Sequence, residues 1–191
     1  YIKNNKEINN DLIKICDEIL NSEKTKNKIT ELIKDGNGYD IAKYLGIDTD
    51  EYVLKYLETN NFLEHPYIIY YISKKENIEK LVLFIEKNLP LEKLKGLPTN
   101  KFNRRIAKDK EFTFLDTMIR NLGNYIGIGE NLIICALNSP YVDIRYGAVN
   151  TLESWKEKGY ILSNEIVKNI KNLEKIEVDE ELKIKLNKLL K

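Results

Sequence analysis

The sequence holds a single histidine, His65, and that scarcity excludes more chemistry than any other feature of it. A Ser-His-Asp or Cys-His arrangement would have to use His65, which directly precedes Pro66 and has no Gly-x-Ser-x-Gly elbow elsewhere to serve. One histidine without clustered cysteines gives no zinc-ligand spacing, so no metal site is expected. The two cysteines, Cys16 and Cys135, stand in separate apolar stretches. Isolated thiols of this kind suit a reducing compartment and point to the cytoplasm. No apolar run approaches the roughly 18 residues that a membrane span requires, and no secretory signal is recognisable near Tyr1. A chain that opens on Tyr1 rather than Met reads as a piece of something longer. Charge of one sign is lacking too, since 31 basic and 30 acidic residues leave +1. Global charge therefore offers a polyanion no special attraction. Four prolines and nine glycines are few for 191 residues. What remains is rich in Lys, Ile, Asn, Leu and Glu, a helix-forming usage with few breakers.

The apolar residues recur at helical spacing along most of the chain. Ile8, Leu12, Ile13, Ile15, Cys16, Ile19 and Leu20 predict an amphipathic helix over about 7–21. Ile29, Leu32 and Ile33 predict a second, stopped by Asp35-Gly36-Asn37-Gly38. Ile41, Ala42 and Leu45 mark a short third helix. Asp48 with Glu51 reads as a capping box for a fourth, which carries Tyr52, Val53, Tyr56 and Leu57. Pro66 suits the first turn of a helix holding Tyr67, Ile68, Tyr70, Tyr71 and Ile72. Ile78 to Leu89 predicts one more, ended by Pro90. The stretch 96–110, with Gly96, Pro98, Asn100, Asn103 and the pair Arg104-Arg105, lacks apolar periodicity. It reads as the longest loop and the domain boundary, mobile because nothing apolar anchors it.

Beyond it the helical pattern resumes through Phe114, Leu115, Met118, Ile119 and Leu122. It continues through Leu132, Ile133, Ala136 and Leu137, through Ile144, Ala148, Leu152 and Trp155, and through Ile166, Val167, Ile170 and Leu173. Leu182, Leu186, Leu189 and Leu190 complete it. The pattern of apolar pair, turn and returning apolar pair repeats at about 30 residues, a period typical of helical-hairpin solenoids. The expected fold is all-α, built of stacked antiparallel hairpins. The domains read as 1–95, an N-terminal helical region; 96–110, a basic loop; and 111–191, the repeats.

Asn138-Ser139-Pro140-Tyr141-Val142-Asp143-Ile144-Arg145-Tyr146-Gly147-Ala148-Val149-Asn150-Thr151-Leu152 resembles the turn and second helix of a HEAT repeat. The likeness lies in a turn proline, an Asp then an Arg near the helix start, and Ala and Leu on the inner face. It covers residues 112 to about 175 and implies a HEAT-like α-solenoid. The segment from Leu122-Gly123-Asn124-Tyr125-Ile126-Gly127-Ile128-Gly129-Glu130 to Trp155 also resembles low-GC bacterial chains labelled limonene hydroxylase. That likeness implies the non-catalytic C-terminal part of a larger enzyme, because hydroxylation needs a haem, flavin or metal centre that the segment does not supply.

Three further motifs have duller readings that fit better. Asp35-Gly36-Asn37-Gly38-Tyr39-Asp40 suggests a calcium loop until its register is tested. With Gly38 at the sixth position, Ile33 and Tyr44 fall where acidic ligands belong. Ile126-Gly127-Ile128-Gly129 is similar to a helix-hairpin-helix turn, whose amides bind a DNA phosphate. Glu130, directly after it, would repel phosphate and satisfy its own helix instead. Lys93, Lys95, Lys101, Arg104, Arg105, Lys108 and Lys110 form the one notable basic cluster. Phe102 beside them is too little for a stacking platform.

No catalytic residue, cofactor site or metal site emerges from the sequence. The leading expectation is a protein-interaction or scaffold module, with Arg104, Arg105, Tyr67, Tyr70 and Tyr71 as candidate partner-binding residues. Tyrosine combines apolar area with a polar tip, which suits an interface. The rival is a nucleic-acid-binding HEAT-like protein of the DNA-repair glycosylase type, to which Asp143, Arg145 and Trp155 could be offered. Near-neutral charge disfavours it. Asp143 and Arg145, two residues apart on one helix, cannot face each other and are expected to join neighbouring helices.

Overall fold

The computed structural model describes residues 6–59, 62–103 and 109–191, and no β-strand occurs among them. The chain is all-helical, as few breakers and sustained 3.6-residue periodicity dictate. It divides into two compact units, residues 1–60 and 61–191. The division precedes the basic stretch 96–110, which lies inside the second unit.

The first unit contains α1 (Lys6–Asn21), α2 (Glu23–Lys34), α3 (Tyr39–Tyr44) and α4 (Asp50–Thr59). Ser22 caps α2, its Oγ accepting from the Thr25 N–H at 3.3 Å. Gly36, in the left-handed region at φ 80°, helps stop that helix, as expected of the Asp-Gly-Asn-Gly run. The Asp48 carboxylate accepts from the Asp50 N–H at 3.1 Å, at the start of α4. Helix α2 is the hub, packing on α1, α3 and α4. Ile29, Ile33, Tyr39, Ala42, Val53 and Leu57 are buried around it. Leu12, Ile13, Ile15 and Ile19 of α1 remain exposed, because α2 covers only part of the apolar stripe.

The second unit begins with 3-10 helices at Phe62–Glu64 and Pro66–Tyr71, followed by α5 (Lys75–Asn88) and a 3-10 helix at Leu91–Leu94. Then come α6 (Lys110–Leu122), α7 (Glu130–Leu137), α8 (Val142–Glu157), α9 (Asn164–Ile176) and α10 (Glu180–Leu189). The Pro66–Tyr71 segment is the tighter 3-10 form rather than the expected α-helix. Six residues rich in aromatic and β-branched side chains propagate an α-helix poorly. Helix α8 packs on α6, α7 and α10, while α7 also packs on α9 and on Leu91–Leu94. Every residue from Leu132 to Leu137 of α7 is buried, which is why that stretch reads as continuously apolar. Trp155 is fully buried and donates its Nε1–H to the Leu122 carbonyl at 2.8 Å.

The last carbonyls of a helix have no partner within it. Those of α6 are met from α8: Thr151 donates to Ile119 at 2.9 Å, and Ser154 and Lys158 donate to Gly123 at 3.1 and 2.8 Å. Among the described residues no helix is long and apolar enough to cross a membrane.

Residues 96–103 correct the expectation of a free loop. The Gly96 N–H donates to Asn138 O at 2.8 Å, and the Thr99 N–H donates to Pro140 O at 3.0 Å. The Val142 N–H donates to Lys101 O at 3.0 Å, and the Asn103 N–H to Asp143 Oδ1 at 3.0 Å. The segment is a strap across the α7–α8 turn. Its anchors are hydrogen bonds, most of them to backbone atoms, and these leave no trace in hydropathy. Arg104, Arg105 and Lys108 lie outside the described residues.

Candidate functional site

A buried ion pair sets the frame of the site. Arg145, in the first turns of α8, and Glu177, in the α9–α10 connection, have side chains with no exposed surface. The guanidinium grips the carboxylate with two bonds of 2.7 Å, from Nε to Oε2 and from Nη2 to Oε1. Its remaining N–H groups reach Ser139 O, Pro140 O and Thr99 O, each at 3.0 Å. Glu177 Oε1 also accepts from the Val178 and Asp179 N–H groups at 2.9 and 3.0 Å. One cation therefore ties the strap, the α7–α8 turn, α8 and the α9–α10 connection together. Asp143, two residues earlier, points to the strap instead. The two residues offered to a glycosylase thus hold the fold, and so does the buried Trp155.

On the other side of the strap lies a cleft of about 350 Å³ lined by Tyr67, Tyr70, Asn103, Thr113, Asp116, Thr117 and Arg120. In a 3-10 helix side chains three apart eclipse, and the Tyr67 and Tyr70 rings accordingly lie nearly parallel at 20°, centroids 6.4 Å apart. Tyr67 is 66 % exposed and Tyr70 39 %; Tyr71 is half-buried and does not line the cleft. The Tyr70 hydroxyl donates to Thr117 O at 3.4 Å. Thr113, Asp116, Thr117 and Arg120 share one face of α6 through their three- and four-residue spacing. Arg120 donates Nε–H to Asp116 Oδ1 at 2.9 Å and Nη2–H to Asp143 O at 3.3 Å. Asn103 closes the cleft, its Nδ2 donating to Thr113 Oγ1 at 3.4 Å.

Gly147 lets α8 approach this face closely. A Cβ there would stand 3.3 Å from Asp116 Oδ1. Arg120 also lines a second cleft of about 270 Å³, together with Gly123, Asn124, Gly147, Asn150, Thr151 and Ser154.

Of the candidates read from sequence, Tyr67 and Tyr70 are brought together at a cleft. Asn103, Asp116 and Arg120 were not foreseen there. Asp116 and Arg120 carry the i, i+4 acid–base spacing that could have flagged them. Asn103 carries no local signal, because only the fold sets it against Thr113. Glu130 stands in the first turn of α7 and also makes contacts that the sequence did not announce. Its carboxylate accepts from the Tyr160 hydroxyl and from Ser163 Oγ, the latter at 2.7 Å. It thereby joins the start of α7 to the α8–α9 turn. Burial and that hydrogen bond push the Tyr160 hydroxyl up to about 12.

No protein-family model, curated protein or solved structure matches the chain.

Proposed function

We propose that this chain is a cytoplasmic protein-binding module built as a short HEAT-like α-solenoid, engaging its partner where Tyr67 and Tyr70 flank the α6 cleft. The observation that supports the solenoid is the constancy of sequence separation between its tying side chains. Arg145 to Glu177 spans 32 residues, Trp155 to Leu122 spans 33, Lys185 to Glu153 spans 32 and Asn138 to Asn169 spans 31. A repeat of about 30 residues that packs only on its neighbours makes contacts of that kind. The observation that carries the binding role is the cleft itself, which places exposed aromatic rings beside buried polar groups. Interfaces concentrate their energy at such aromatic anchors.

Photo-crosslinking tests this reading. A photoreactive residue at position 67, in the cell of origin, should yield one dominant protein adduct. The same residue at position 161, where Ile161 is 89 % exposed, should not. Equal adducts from both positions, or none from position 67, would defeat the proposal.

A second reading, nucleic-acid binding of the DNA-repair glycosylase type, is favoured by one observation. Asp116 supplies a carboxylate beside aromatic rings in a groove. The charge balance of the chain opposes it, because duplex affinity comes largely from neutralising phosphates. Fluorescence anisotropy with a labelled duplex at about 150 mM salt should find no binding tighter than the non-specific range of about 10⁻⁴ to 10⁻⁶ M. Nanomolar binding abolished by Arg104→Ala with Arg105→Ala would reverse the ranking.

A further inference from the structure

Arg145 spends its guanidinium on the fold, whereas Arg120 keeps 35 % of its side chain exposed. The Arg120 Nε–H goes to Asp116 Oδ1 and one Nη2–H goes to Asp143 O. A guanidinium carries five N–H groups, so both on Nη1 and the second on Nη2 have no partner among the described residues. Arg120 lines the second cleft as well as the one beside Tyr67 and Tyr70. Gly147 keeps the guanidinium open to that second cleft. A Cβ there would stand 3.8 Å from Arg120 Nη2, and a longer side chain would cover it.

The second cleft has donors to spare. Asn150 Oδ1 accepts from Lys185 Nζ at 3.0 Å. A lysine can only donate, which fixes the orientation of that amide and leaves Asn150 Nδ2 as the free end. Asn124, exposed at the cleft, carries a further amide. Arg120 is the one charged group among the described residues that line it. Lys158 and Lys185 stand beside it, bonded to Gly123 O and to Asn150. Arg120 is paired with Asp116 and Lys185 with Glu153, so three cations here face two carboxylates.

We propose that the partner's anchor is a carboxylate from an acidic side chain, received by the open N–H groups of Arg120 and by Asn150 Nδ2. This rests on the protein-binding reading above, because Arg120 borders the Tyr67–Tyr70 cleft too. The two oxygens of a carboxylate match the planar fork of a guanidinium. Charge selects a carboxylate over a phosphate. A single negative charge balances the cations around the cleft, whereas a dianion would exceed them and meet the partial negative charge at the C-terminal end of α6.

The probes are Nα-acetyl-glutamate amide, its nearly isosteric and uncharged glutamine counterpart, and inorganic phosphate. NMR would follow the Arg120 Nε–H and the Asn150 side-chain amide of the whole chain at about 150 mM salt. The glutamate probe should shift both saturably, the glutamine probe should give no response, and phosphate should bind more weakly. Asn150→Asp is the deciding variant. It stands at an exposed position and keeps an oxygen for Lys185, but it replaces the free donor with a second acceptor. It should weaken the glutamate probe at least about threefold. No saturable shift, equal responses to glutamate and glutamine, or unchanged binding by Asn150→Asp would overturn the proposal. Phosphate binding as tightly as glutamate would overturn the choice of carboxylate. If the position-67 crosslink forms while the glutamate probe fails, the anchor is wrong and the protein-binding reading stands. If the probe binds while that crosslink fails, the carboxylate site stands and the protein-binding reading falls.

Discussion

Arg145 makes five hydrogen bonds, and none of its side chain reaches solvent. Taking such a pair out of water is costly, so its presence does not imply a large net gain. Removing one member is another matter, because the other charge and several carbonyls then stay buried without a partner. Arg145→Ala should lower the unfolding free energy by about 3–5 kcal/mol. Arg145→Lys should recover only part of this, since an ammonium cannot form the two-pronged contact with Glu177. Urea denaturation would measure both, and an unchanged midpoint for the alanine variant would contradict the structural role. The two thiols differ in the same physical way. Cys16 is exposed and Cys135 is buried. Burial pushes the Cys135 thiol up to about 11, which suppresses the reactive thiolate. Iodoacetamide at pH 8 should therefore label one thiol of the native chain, Cys16, and both in denaturant. Peptide mass mapping would show it.

At the scale of elements, the strap 96–103 is the part whose behaviour departs most from its composition. Its backbone is held by the α7–α8 turn while the Leu97 side chain stays 80 % exposed. Hydrogen exchange distinguishes a held strap from a loose loop. The amides of Gly96, Thr99 and Asn103 should exchange slowly, and Asp143→Ala should speed Asn103 far more than Gly96. Uniformly fast exchange across 96–103 would show the strap to be loose.

For the whole molecule, the groups with raised proton affinity set an alkaline limit. Burial lifts Cys135 from 9.0 to about 11. Burial, and secondarily the nearby Tyr56, lifts Tyr39 from 10.0 to about 12. Tyr160 is lifted to about 12 as well. Each folded-state value lies above the unfolded one, so the folded chain holds these protons more tightly. The resulting stability is fully present below about pH 9 and is lost as pH rises towards about 12. Chemical denaturation should show a flat contribution from these groups up to pH 9 and a decline from there. Cys135→Ser should remove the earliest part of that decline, whereas a decline beginning near neutrality would point to other groups.

Helix content, the stops at Asp35-Gly36 and Asn138-Ser139-Pro140, the burial of Trp155 and the outward reach of Asp143 and Arg145 were all legible in the sequence. Each follows from a local rule, whether the 3.6-residue period, glycine's left-handed backbone, proline's missing N–H, or the divergence of side chains two apart on a helix. Tyr67 and Tyr70 stood out in the sequence by residue type alone. Their pairing over a cleft depended on a 3-10 geometry that composition does not distinguish from an α-helix. Asn103, Asp116 and Arg120 as a group, the strap, and the hydrogen bond from Tyr160 to Glu130 were decided by tertiary structure alone. Which side chains bond across such sequence separations is not written in the local hydrophobic pattern. A polar side chain in a sequence reads the same whether it faces water or an unfilled cleft.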